Sequence, residues 1–255
     1  MPGVSMSKKL ITGLIVTLAL SFSLSTSALA RTVVNGIDAN YPPFAYVDKN
    51  GVPAGFDVDS MNWIAKHMDF EVIHKPMEWS TIVQAVASKK IDTVMSGMTI
   101  TPERKAQVNF SDIYWSVKNV FVVKKDSQLT TDSILASKGR VGYQTGTSDG
   151  KWLDKENKAQ GWGLQLRQYD SSPQIISEVL NGRLLAGEMN MTPAHDAISK
   201  GVPVKIAGNI GEHEDFGVAV RYDDKELLKI INQGLKDLMA DPYYEQLKQK
   251  YFASK

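Results

Sequence analysis

Ser96-Gly97-Met98-Thr99-Ile100-Thr101-Pro102-Glu103-Arg104 is the stretch from which this chain is best read. It leaves a short strand, Asp92-Thr93-Val94-Met95, and runs into a helix start. Thr101 is placed as N-cap and Pro102 at the first helical position, because a capping oxygen accepts an orphan N–H and proline's fixed φ suits the first turn. Arg104 then stands one turn in, close to unpaired backbone N–H groups. Hydroxyls, free donors and a guanidinium converging on one point make a receptor for a carboxylate. The same residues also fit an ordinary capped helix with a surface arginine.

Working outward, strand-like and helix-like segments alternate. Val33-Val34-Asn35-Gly36-Ile37 reads as a first strand and Val72-Ile73 as a second. Between them Met61, Ile64, Ala65 and Met68 recur at helical spacing over about 58–68. Ser80 is expected to cap a helix carrying Ile82, Val83 and Val86. Further strands fit 119–124, 140–144, 185–190, 203–207 and 216–220. Ser172-Pro173 and Thr192-Pro193 open helices that Gly182 and Gly201 close. Leu228, Ile231, Leu235 and Leu238 form one stripe of a helix over about 224–239, and Asp241-Pro242 starts a last one. Such alternation predicts an α/β architecture with mainly parallel sheets. No repeat and no low-complexity linker occurs, so two lobes would be joined by crossing strands.

The N-terminus bears on the compartment. Lys8 and Lys9 precede an apolar run from Leu10 to Leu20, and the stretch closes on Ala28-Leu29-Ala30. That is the pattern of a secretory signal peptide, here residues 1–30, with cleavage expected after Ala30. The chain has no cysteine. This excludes thiol catalysis, cysteine-ligated metals, disulfides and a lipid-modified cysteine anchor. The expected location is a Gram-negative periplasm. Without Lys8 and Lys9, 27 basic residues face 28 acidic ones, so no electrostatic footprint for nucleic acid or an anionic membrane is present.

A second anion-receiving turn lies at Gly142-Tyr143-Gln144-Thr145-Gly146-Thr147-Ser148. Gly146 would let the backbone approach a ligand, and Thr147 and Ser148 offer hydroxyls and N–H groups. A plain capped turn is the alternative. Asp38 and Tyr41 follow the first strand, where ligands of open α/β sheets sit, and Trp79 offers a flat apolar wall. Turn and core roles for these residues remain open. Asp57 and Asp59, ahead of a helix, are read as capping residues. The four histidines have no ligand spacing, no nucleotide P-loop is present, and no G-x-S-x-G elbow occurs, so no metal or cofactor is expected.

In this order the segments resemble the periplasmic solute-binding proteins of ABC importers, in the branch that captures polar amino acids. The markers are Asp38-x-x-Tyr41-x-Pro43-Phe44, Gly55-Phe56-Asp57-Val58-Asp59, the run from Ser96 to Arg104, Asn109-Phe110-Ser111-Asp112, Gly146-Thr147-Ser148, and Asp241-Pro242-Tyr243-Tyr244 through Tyr251-Phe252. The resemblance covers nearly all of 31–255. It implies a two-lobed periplasmic-binding-protein fold: two mixed, mainly parallel sheets flanked by helices and joined by two crossing hinge strands. Lobe 1 would be 31–116 plus 213–255, and lobe 2 would be 117–212. It implies a monomer that closes on a small amino acid or related carboxylate and delivers it to an inner-membrane ABC permease. Arg104 would pair with the ligand carboxylate, helped by Gly97, Thr99, Thr147 and Ser148. Asp38, Tyr41 and Trp79 would meet the ligand side chain, and Ser96 would support the edge of the site.

One position departs from the pattern. The family usually places an aspartate on a second-lobe strand for the ligand ammonium, and here Asn190 holds that place. A charged hydrogen bond is worth roughly 1.5–3 kcal/mol against about 1 for a neutral one, so the change could cost an ordinary amino acid about ten-fold in affinity. Glu188 lies two residues earlier on the same strand face and is either a substitute or half of a buried ion pair. Two other readings stand beside the receptor. One is a cyclohexadienyl dehydratase-like enzyme, for which only Glu188, Asp149 or Asp38 could serve as general acid. The other is the ligand-binding partner of a membrane sensor.

Overall fold

The computed structural model describes residues 1–3 and 31–253. The signal-peptide reading therefore falls almost wholly outside the described residues. The chain order begins β1 (Thr32–Asp38), β2 (Asn40–Tyr41), β3 (Ala45–Val47), β4 (Pro53–Ala54), α1 (Phe56–His67), β5 (Glu71–Met77), α2 (Trp79–Ala87), β6 (Thr93–Val94), α3 (Pro102–Lys105) and β7 (Asn109–Phe110). It continues β8 (Trp115–Lys124), α4 (Thr131–Ala136), β9 (Arg140–Gln144), α5 (Ser148–Ala159), β10 (Gln165–Tyr169), α6 (Ser172–Leu180), β11 (Ala186–Asn190) and α7 (Met191–Ser199). Then β12 (Val204–Phe216), β13 (Ala219–Val220), α8 (Lys225–Ala240) and α9 (Pro242–Phe252) bring the chain back.

These strands form two five-stranded sheets, one in each lobe, and a small antiparallel sheet β2-β3-β4. The first sheet has the order β5-β1-β6-β13-β7, the second β10-β9-β11-β8-β12. Each is mixed: β5-β1-β6 and β10-β9-β11 are parallel, whereas β13 and β8 pair antiparallel with both of their neighbours. Both faces of each sheet are covered, which explains continuous apolar runs rather than alternation. On β8, Val120 and Val122 join Ile175, Ile176 and Val179 on one side. Phe121 and Val123 join Ile134, Val141 and Leu153 on the other. In the first lobe, Val94 and Ala219 face Ile82 and Val86 of α2, while Met95, Val218 and Val220 face the core around Phe44, Phe56 and Phe216.

Two long antiparallel strands, β8 and β12, run from one lobe into the other. The sequence suggests only 203–207 and 216–220 in this part. Residues 208–215 are glycine-rich and polar, with no alternation to betray a strand, and pairing to β8 is what extends them. The register slips between Ile206 and Gly208 and again between Ile210 and Glu214. Such bulges bend a strand where it leaves a sheet.

Several local expectations change. Helix α2 starts at Trp79 with Glu78 as N-cap, so Ser80 is inside it rather than capping it. Helix α1 is capped by Gly55 without a side-chain bond, and neither aspartate caps it. Asp57 is buried and accepts from Gly97 N–H at 2.6 Å and Tyr114 O–H at 2.8 Å. Asp59 accepts from Lys250 and Tyr251, each at 2.7 Å. On α8 the buried stripe uses Leu227 rather than Leu228, along with Ile231, Leu235 and Leu238.

Candidate ligand-binding site

The strand ends build the site. Asp38 closes β1, Ser96-Gly97 follow β6, Gln144 closes β9 and Asn190 closes β11. Carboxyl ends of parallel strands from both sheets thus meet at one crevice, where open α/β sheets leave backbone groups and loop side chains available. The crevice holds a narrow cavity of about 20 Å³. All ten residues singled out in the sequence line it: Asp38, Tyr41, Trp79, Ser96, Gly97, Thr99, Arg104, Thr147, Ser148 and Asn190. Gln144, Asp149, Ser172, Glu188 and Met189 complete the lining.

Thr101 caps α3 by accepting from Arg104 N–H at 3.2 Å, as its sequence implies. This turn throws the Arg104 side chain inward rather than to the surface, and it is only 7% exposed. The guanidinium lies over the Trp79 ring, 5.4 Å from its centroid. Its Nη1 donates to Thr99 O at 2.8 Å and its Nη2 to Gly146 O at 3.2 Å in the opposite lobe. A guanidinium has five N–H donors, so three remain for an anion. Burial pulls its pKa down, opposed by Glu214, Asp149 and Glu103.

The hydroxyls and glycines divide their roles. Thr147 caps α5, donating to Gln144 O at 2.8 Å and accepting from Gly150 N–H at 3.2 Å. Ser148 is the first residue of that helix, where N–H groups lack helical partners. Gly97 has φ +61°, and a Cβ there would run into the Tyr41 ring. Its N–H points to Asp57 and Tyr114, away from a ligand. Gly146, at φ +83°, makes room for the Cα of Ser80 across the crevice, so its close approach is to the other lobe.

Asp38 accepts from Asn40 N–H at 2.9 Å and from Gln144 Nε2 at 2.7 Å. Its own N–H donates to Ser96 Oγ at 2.9 Å. Burial raises its pKa, against the pull of those two donors. Tyr41 O–H donates to Asn190 Oδ1 at 2.6 Å. Asn190 Nδ2 donates to Asn119 Oδ1 at 2.6 Å and lies 3.4 Å from Glu214 Oε2. Thr99 O–H donates to the same Glu214 oxygen at 2.8 Å. The Glu214 carboxyl is pushed up to about 7, by burial and by Asp149, against Thr99, Ser148 and Arg104.

Sequence reasoning missed Gln144, Asn119 and Glu214. Gln144 was inside a stretch already marked, and only its place as the last residue of β9 could have raised it. Glu214 sits in Gly211-Glu212-His213-Glu214-Asp215, where nothing local separates it from its acidic neighbours. Glu188 is fully buried, and no buried ion pair holds it: among the described residues no lysine, arginine or histidine bridges it. Its Oε2 has no hydrogen-bond partner, and neither has the Trp79 indole N–H. Among the described residues no cluster of three or more histidines and carboxylates suited to a metal occurs.

The chain is 29% identical over 225 residues to the L-cystine-binding protein TcyJ of Escherichia coli K12, covering 88% of this chain and 83% of that protein. It is 31% identical over 245 residues to the L-arginine-binding protein of Pseudomonas aeruginosa, covering 92% and 94%. An ancestral arginine-binding protein bound to arginine superposes with a TM-score of 0.79 at 34% identity, covering 88% of this chain and all of that one. The model of the bacterial extracellular solute-binding proteins, family 3, matches residues 33–254. The chain belongs to that family of solute-binding proteins.

Proposed function

We propose that this protein captures an amino acid in the cavity between its lobes and hands it to an ABC permease, with Arg104 as the anchor of the ligand carboxylate. The observation that carries the reading is the Arg104 guanidinium, buried against Trp79 with three free donors, at the wall of a two-lobed crevice. Thr99 and the N-terminus of α5 at Ser148 assist it. Trp79 and Tyr41 form apolar walls, and Asp38 with Gln144 meets the ligand side chain.

The lobes are residues 31–116 with 213–255, and 117–212. They hinge where β8 and β12 lose register, around Gly211–His213. Ligand favours the closed form by binding it better than the open one. The protein acts as a monomer in the periplasm after loss of residues 1–30. It needs no metal or cofactor and meets no nucleic acid. The dehydratase reading has less support, because the curated relatives are binding proteins. Nothing favours the sensor reading.

The test is a thermal-shift screen of ligand-stripped protein against the common L-amino acids and L-cystine. A ligand at a hundred times its dissociation constant adds about 2.7 kcal/mol of stability. The expected result is a shift with at least one amino acid that disappears in Arg104→Ala. Equal binding by that variant refutes the site assignment.

A further inference from the structure

Glu188 lines the cavity with a fully buried carboxyl oxygen that, among the described residues, has no hydrogen-bond partner. Its side chain sits in the middle of β11, 1% exposed, and Oε2 lacks any hydrogen-bond partner. The side chain lines the cavity together with Asp149, from the first turn of α5. The two carboxyls come within hydrogen-bonding reach of each other. Asn190, two residues along the same strand face, is held in place: its oxygen accepts from Tyr41, and its amide donates to Asn119 and lies against Glu214. A buried carboxylate without a cation is costly by several kcal/mol, and two facing carboxyls do not both ionise readily. Some positive charge must therefore reach Glu188, either a proton or a group of the ligand.

We propose that Glu188, backed by Asp149, receives the ammonium group of the ligand, and that the ligand enters by displacing a proton from the Glu188 carboxyl. This rests on the reading of the cavity as an amino-acid site and assigns its cation-binding end. The exchange balances simply. In the empty cavity Glu188 is a neutral acid; on binding, its O–H bond breaks, the proton leaves to solvent, and the carboxylate pairs with the incoming ammonium. The charged groups acting on Glu188 are Asp149 from α5 and Glu214 from β12, with Arg104 of α3 facing both of those. Burial and the neighbouring Asp149 carboxylate hold the Glu188 carboxyl well above its usual range, in keeping with a proton there. Asn190 then acts as a neutral bracket that ties Tyr41 to Asn119, and the charge expected at its position stands two residues earlier.

The experiment uses the chain purified from the periplasm after expression with its own N-terminal segment. The L-amino acid giving the largest thermal shift among the common twenty and L-cystine is carried into calorimetry with its deaminated analogue. Wild type should prefer the amino acid by about ten-fold or more, the gap between a charged and a neutral partner. Titrations at pH 7 in buffers of different ionisation heat should show release of about one proton. Glu188→Gln mimics the neutral acid and should fold; it should bind with no proton release and lose most of the preference for the amino acid. Wild-type binding without proton release, or a Glu188→Gln variant that keeps the full preference, overturns the proposal. If Arg104→Ala then still abolishes binding, the amino-acid site survives and only the role of Glu188 falls. A wild type silent to every probe overturns both readings.

Discussion

Gln144 Nε2 lies 2.7 Å from Asp38 Oδ2, so the last residue of β9 in one lobe grips the last residue of β1 in the other. Both side chains are buried, and Gln144 also donates to Asp170 O at 3.0 Å. The bond spans the two lobes, so parting them would break it. Hydrogen bonds to a charged group contribute roughly 1.5–3 kcal/mol, and this one favours closure. Gln144→Ala should weaken ligand binding by about ten-fold and enlarge the ligand-free protein in solution scattering. An unchanged affinity would show that the contact follows closure without supporting it.

At the rim, Lys151 Nζ meets Glu103 Oε1 at 2.8 Å across the same crevice, but both side chains are more than half exposed. Exposed pairs are worth about 0–1 kcal/mol and are screened by salt. Glu103→Ala should change affinity by less than about five-fold, and the difference should vanish in 1 M salt. A larger, salt-insensitive effect would contradict this account of the rim.

Asp57 gives a pH prediction. Burial pushes its carboxyl up to about 7, against the pull of Tyr114 O–H and Gly97 N–H. A folded pKa above the unfolded one means the native state binds more protons across that interval, so stability falls as pH rises from about 4 to about 7. Asp57→Asn keeps an acceptor for Gly97 N–H and carries no charge. The variant should be close to wild type at pH 4, more stable than wild type at pH 8, and flatter between. Denaturant midpoints at pH 4, at pH 8 and midway between them decide it.

Gly97→Ala should be damaging for a local reason. The backbone there has φ +61°, and the added methyl would strike the Tyr41 ring whose hydroxyl holds Asn190. Positive φ in a non-glycine residue costs about 1–3 kcal/mol before any clash. Urea unfolding should show at least that loss, together with weaker ligand binding. A stable variant with normal affinity would mean that Tyr41 can move aside freely.

Much of the site was legible in the residues because its parts are local devices. Thr101-Pro102 and Thr147 behave as helix starts wherever they occur, and loops at strand ends face the crevice in any open α/β sheet. The ten residues so chosen come from five separate stretches, and they share one cavity. Asp57 was misread for the opposite reason. It has the local pattern of a cap, but its real partner is Gly97 N–H, 40 residues away. The extension of β12 to Phe216 was equally hidden, since only its pairing with β8 makes a strand of a glycine-rich polar segment.

The sequence by itself determined the alternation of strands and helices, several of the caps, the two glycine-bearing turns that line the cavity and the family, because each shows in local residue patterns. Tertiary structure alone decided which buried carboxyls meet. Asp149 and Glu188 are 39 positions apart, and Glu214 comes from a returning strand. Whether such groups are paired, protonated or left open for a ligand depends on burial and on distances across the fold. Those quantities come into being only when the strands and helices pack against one another.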